Sequence, residues 1–116
     1  GADDICSAAR SVMEIYSGID NVAVTSGGDR AFLFSRKNGS YGYDLPVLEG
    51  IVSPIGAGDC ATAVMARRLS EGETELEISF AEALACASAS CLDECPSCFK
   101  LEDAARLLEG IRQVSI

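Results

Sequence analysis

The spacing of apolar positions changes twice along the chain. From Asp3 to Tyr16, the residues Ile5, Ala8, Ala9, Val12, Met13, Ile15 and Tyr16 recur at three-and-four spacing, which lines one face of a helix. Asp3 and Asp4 suit the positive end of that helix, and Gly18 is placed to end it. Asn21–Thr25 is a short β-branched run that reads as a buried strand entering the turn Ser26-Gly27-Gly28-Asp29. Ala31–Ser35 follows, Asn38-Gly39 is a hairpin signal, and Tyr41–Leu45 can return as the paired strand, so an antiparallel meander is predicted. Leu48–Pro54 reads as a further short extended segment. Beyond it no strand pattern appears: Cys60–Leu69, Leu76–Leu92 and the stripe Leu101, Ala104, Ala105, Leu108, Ile111 predict three helices, with Leu101, Leu108 and Ile111 as core. A helix layer against one side of a small sheet is an α/β or α+β arrangement.

Length and charge narrow the function. The 116 residues fit a single domain spanning 1–116, with enough apolar side chains to form a core. Nine Lys and Arg against 18 Asp and Glu give a net charge of −9 with no basic run, which argues against nucleic acid and anionic membrane as partners. There is no histidine, so acid–base chemistry must use a carboxylate. No apolar run is long enough to span a bilayer and the N-terminus is acidic where a signal peptide is basic, so a cytoplasmic location is expected. The chain begins at Gly1 with a helix already under way, which suggests a piece of a longer protein.

The segment Gly50–Val64 carries the most chemistry. An extended stretch leads into Gly56-Ala57-Gly58-Asp59 and then into a helix. Glycines let the backbone approach a ligand closely, and a helix N-terminus aims unpaired N–H groups at an anion. Asp59, in the first turn, could accept a proton from an attacking hydroxyl. The same pattern also serves merely as a tight connection, with Asp59 as a helix cap. Gly56–Ala61 further satisfies the dinucleotide fingerprint G-x-G-x-x-A, but helix is predicted where that motif needs its second strand.

Ser53-Pro54-Ile55-Gly56-Ala57-Gly58-Asp59 resembles the second signature of the ribokinase-like (PfkB-type) carbohydrate kinases, in the Asn-Pro form found among sugar-phosphate kinases. Val24-Thr25-Ser26-Gly27 resembles the strand-Thr-x-Gly turn that meets ATP in that family. The resemblance runs over nearly the whole chain and implies the C-terminal portion of a three-layer fold, a small sheet with a β-meander followed by three helices. It further implies ATP and Mg²⁺, and a sugar or sugar phosphate as phosphoryl acceptor. By the same resemblance Gly56, Ala57 and Gly58 would supply an anion hole, Asp59 the general base, and Thr25 and Gly27 contacts to the nucleotide. Ser53 and Ile55 stand where many relatives place an Asp and a Thr that join a monovalent-cation site, and Arg30 replaces a later glycine of the first turn.

Kinases of this family are much longer and bind the sugar through their N-terminal part, so the chain by itself is expected to be inactive. A second copy of the chain is an alternative cover for the apolar edge that part would protect. A non-catalytic nucleotide-binding or interaction domain of the same fold is the rival reading.

Six cysteines, four of them within Cys86–Cys98, are expected to be reduced. Cys91, Cys95 and Cys98 with Cys86 offer four thiols, the count of a structural zinc site. However, Cys86 and Cys91 diverge by about 140° at roughly 100° per helical residue, so buried or incidental thiols are the favoured reading. Cys60 reads as a small packing residue.

Overall fold

In the computed structural model, which describes residues 1–116, four strands form one antiparallel sheet. Their order is β1 (Asn21–Val24), β2 (Ala31–Ser35), β3 (Gly39–Asp44) and β4 (Arg112–Ser115). The centre of the sheet is β2, where Ala31, Phe32, Leu33 and Phe34 are all buried. Because side chains alternate across a strand, Phe32 and Phe34 face one layer while Ala31 and Leu33 face the other. Helix α1 (Ala2–Ile15) covers the phenylalanine face through Ala9 and Met13. Helices α2 (Ala57–Ser70) and α3 (Leu76–Ser90) cover the opposite face, where Ala61, Phe80, Ala83, Leu84 and Ala87 meet Ala31, Leu33 and Tyr43.

The molecule is therefore an α/β fold with helices on both sides of the sheet, not on one side as the element order suggested. The continuous apolar run in β2 is the sequence trace of that double burial.

Two side chains fasten these layers. The Tyr43 ring meets Phe80 edge to face at 5.1 Å between centroids, and its hydroxyl donates to the Glu77 carbonyl at 2.8 Å. Burial of that phenol pushes its pKa well above the ordinary tyrosine value. On the other face, the Arg36 guanidinium donates to the carbonyls of Met13, Tyr16 and Ile19. A cation thus satisfies the C-terminal end of α1 from the β2–β3 hairpin.

The C-terminal region departs from the sequence pattern. Helix α4 (Leu101–Glu109) buries Ala104 and Leu107 against Ala89 of α3, whereas Leu101 is 80% exposed and Leu108 38%. The buried stripe is offset from the predicted one, and Ile111 packs on the main core from beyond the helix. No strand was predicted after the glycine-rich turn, yet Arg112–Ser115 pairs with β3, with Tyr43 opposite Gln113 and Asp44 opposite Arg112. Its one apolar residue is Val114, which is too little alternation to announce a strand. Conversely, Leu48–Pro54 forms no strand. Its backbone bonds outside the sheet, with the Val52 and Ser53 amides both donating to the Cys91 carbonyl at 2.8 and 3.1 Å.

The junction of β3 and β4 is held by charge. Asp44 accepts Arg30 Nε at 2.6 Å on one oxygen and Arg112 Nη2 at 2.7 Å on the other. Gly42 leaves room for this, since a Cβ there would lie 3.1 Å from Arg30 Cδ. The hydrogen bond from Arg30, then that from Arg112, holds the Asp44 carboxyl below the usual carboxylate range.

The cysteines divide by location. Cys60 and Cys91 are buried, and burial pushes both thiols up, as it does the half-buried Cys86. Cys95 and Cys98 are exposed neighbours across a tight turn, 5.3 Å apart at Cα. No group of three or more Cys, Asp or Glu side chains converges as a metal site. No helix is long and apolar enough to cross a membrane.

One measurement checks this account. A group with a depressed folded pKa stabilises the fold above its unfolded pKa, near 4 for Asp, and loses that contribution as pH falls through the folded value. Asp44→Asn should therefore lower the urea midpoint at neutral pH, and the two proteins should converge in acid.

Candidate active site

The start of α2 is the chemically distinctive point of the fold. Gly56 precedes the helix in the left-handed region, at φ 85°. Its carbonyl accepts the Cys60 amide at 2.9 Å as the first bond of the helix. The Ala57 amide folds back onto the Pro54 carbonyl at 3.3 Å, whereas the amides of Gly56, Gly58 and Asp59 have no acceptor within the protein. Free N–H groups at a helix N-terminus, reinforced by the helix dipole, suit an anion. Of the three amides that sequence motifs nominate, Gly56 and Gly58 are open and Ala57 is occupied. The Asp59 amide joins the open set.

No side chain caps α2, and the Asp59 carboxylate has no hydrogen-bond partner. The capping alternative for Asp59 is thus not the arrangement adopted. Gly58 and Asp59 are exposed, and Gly56 and Ala57 only partly covered, so the turn is open to a ligand. The dinucleotide alternative also fails on topology, because α3 stands where a second strand would be needed.

Thr25 and Gly27, in the turn that follows β1, reach the same region. They line a cavity of about 470 Å³ together with Gly28, Ala57 and Gly58. Most of its remaining wall is apolar, with Leu45, Leu48, Ile51 and Leu84 among the lining residues. A polar, glycine-rich rim beside an apolar wall suits a ligand that is anionic at one end and flat and apolar at the other. Thr25 and Gly58 also border a second cavity of about 540 Å³, lined by Ala23, Leu33, Met65 and Phe80 between the sheet and α2. Asp59 lines neither cavity and faces solvent beside the open amides.

Several residues fall outside the site. Arg30, at the variant position of the first turn, is committed to Asp44, and Glu82 pairs with Arg68 at 2.7 Å between α3 and α2. Sequence reasoning did not find the apolar wall from Leu45 to Ile51, because that loop has no periodicity. It also missed Ser97, whose hydroxyl donates to the Gly56 carbonyl at 2.9 Å across 41 residues. A Cβ on Gly56 would lie 2.5 Å from that hydroxyl oxygen, in a backbone region that side chains rarely adopt. Gly56→Ala should consequently lower the thermal midpoint and weaken anion binding at the turn, read by calorimetry with a nucleotide triphosphate.

The family model described as pfkB family carbohydrate kinase matches residues 2–98. Among solved structures, a candidate phosphofructokinase from Staphylococcus aureus superposes with a TM-score of 0.81 at 23% identity, covering 100% of this chain and 36% of that one. Phosphofructokinase-2 from Escherichia coli, in complex with potassium, gives 0.79 at 24% identity, covering 95% and 34%. Ribokinase from Thermotoga maritima gives 0.72 at 26%, covering 89% and 34%. The chain thus spans about a third of the length of these structures. No curated protein sequence matches it. With a family match over most of its length, and the ribokinase-like fold around an open glycine-rich turn, the chain belongs to the PfkB family of carbohydrate kinases.

Proposed function

We propose that these residues are the nucleotide-binding part of a longer kinase that phosphorylates a hydroxyl of a sugar or sugar phosphate with ATP. The observation that carries this reading is the partnerless Asp59 carboxylate in the same helical turn as the open amides of Gly58 and Asp59. Thr25 and Gly27 across the cavity would contact the nucleotide, with its base against the wall of Leu45, Leu48 and Ile51. The phosphates would then lie toward the rim, and Mg²⁺, for which no protein cluster exists, would be carried on them.

In this arrangement Asp59 removes the proton of the acceptor hydroxyl. The oxygen forms a bond to the γ-phosphorus as the bond from that phosphorus to the β–γ bridging oxygen breaks, and ADP leaves with the bridging oxygen. Negative charge gathering on the transferred group is met by the open amides. Positioning and electrostatic stabilisation supply most of what phosphoryl transfer needs, so the lack of histidine is no obstacle.

The residues that would recognise the sugar lie in the part of the kinase this chain does not span, and the chain alone should bind nucleotide without turnover. A non-catalytic nucleotide-binding domain is the second reading, favoured by Ser53 and Ile55 at positions where many relatives carry Asp and Thr. The two separate on one substitution. In the full-length kinase Asp59→Ala should leave ATP affinity within about twofold while lowering turnover by roughly 10² to 10⁴. Undiminished turnover would remove Asp59 from the mechanism.

A further inference from the structure

We infer that Ser97 is a positioning residue for phosphoryl transfer, fixing the first peptide of α2 so that the amides of Gly58 and Asp59 point at one place. The inference rests on the kinase reading above and adds to it a residue from outside the turn. Ser97 lies in the loop between α3 and α4, yet its hydroxyl donates to the Gly56 carbonyl at 2.9 Å, and the Cys60 amide donates to the same oxygen at 2.9 Å. Two donors occupy both lone pairs of that carbonyl and define its direction. The peptide is planar and trans, so the Ala57 N–H must point the opposite way, where it meets the Pro54 carbonyl at 3.3 Å. One hydroxyl thereby fixes the plane from which the helix, and its next two open amides, begin.

The loop is built to hold that hydroxyl still. Ser97 is the one non-glycine residue with positive φ, at 62°, and it sits against Gly56, itself left-handed. A Cβ on Gly56 would lie 3.0 Å from the Ser97 amide nitrogen, so the two backbones are in direct contact. Cys95 to Cys98 form a tight turn around Ser97, in which the Cys98 amide donates to the Cys95 carbonyl at 3.1 Å. A strained backbone held on both sides is the pattern of a residue kept for placement.

Ser97→Gly isolates the hydroxyl, because glycine accepts the same φ without strain. In the full-length kinase it should lower kcat by roughly 10- to 100-fold, the scale expected of a misplaced catalytic group, with KM for ATP and sugar within about twofold. In the 116-residue chain the Cys60 amide should exchange hydrogen faster and the Gly58 amide resonance should shift, with α4 unchanged. Wild-type kcat in Ser97→Gly, alongside an inactive Asp59→Ala, overturns the role of Ser97 and leaves the kinase reading intact. Full turnover in both variants overturns the two together.

Discussion

The arrangement depends on closing one face of the sheet against two helices at once. Ala31, Leu33 and Tyr43 present a surface that Phe80, Ala83, Leu84 and Ala87 of α3 and Ala61 of α2 cover. Tyr43 is the largest fully buried side chain, and its hydroxyl must find a partner once buried, which the Glu77 carbonyl provides. This contact sets the height of α3 on the sheet, and α2, packed along α3, follows. The start of α2 consequently arrives beside the turn after β1. The placement of Thr25 near Gly58 is a result of core packing, and neither residue need contribute to the core itself.

Small residues make the close approach of the helices workable. Ala83, Ala85, Ala87, Ser88, Ala89 and Ser90 let α3 be buried around most of its circumference, with α2 on one side and α4 on the other. The buried hydroxyl of Ser90 is satisfied within its own helix by the Ala87 carbonyl at 2.7 Å. No buried side-chain polar atom lacks a partner. The open amides of Gly58 and Asp59 lie outside this accounting, since they are exposed at a helix start where a ligand can meet them.

Much of this was legible in the sequence because the relevant signals are local. The helical period of α1, the β-branched run of β1 and the hairpin turn before β3 depend on neighbours a few residues apart. The Gly56–Asp59 turn is likewise visible in its own spacing as a candidate anion site, whereas Thr25 and Gly27 stand out only through the family resemblance. The features missed are those fixed by distant partners. β4 is mostly polar and is a strand only because β3 and Asp44 receive it. The buried face of α4 was misread because Leu107 and Leu108 are both apolar, and only the position of Ala89 decides which turns inward. The contact between Ser97 and Gly56 spans 41 residues and leaves no trace in either segment.

The fourth strand has a consequence for how the protein is made. Asp44 and Arg112 are separated by 68 residues, so this pairing gives the sheet a high contact order. During synthesis the hairpin of β2 and β3 leaves the ribosome long before Arg112–Ser115 is translated, and the outer edge of β3 stays uncovered throughout that interval. Aspartate at its end and glycine in its middle make that edge a poor template for a neighbouring nascent chain.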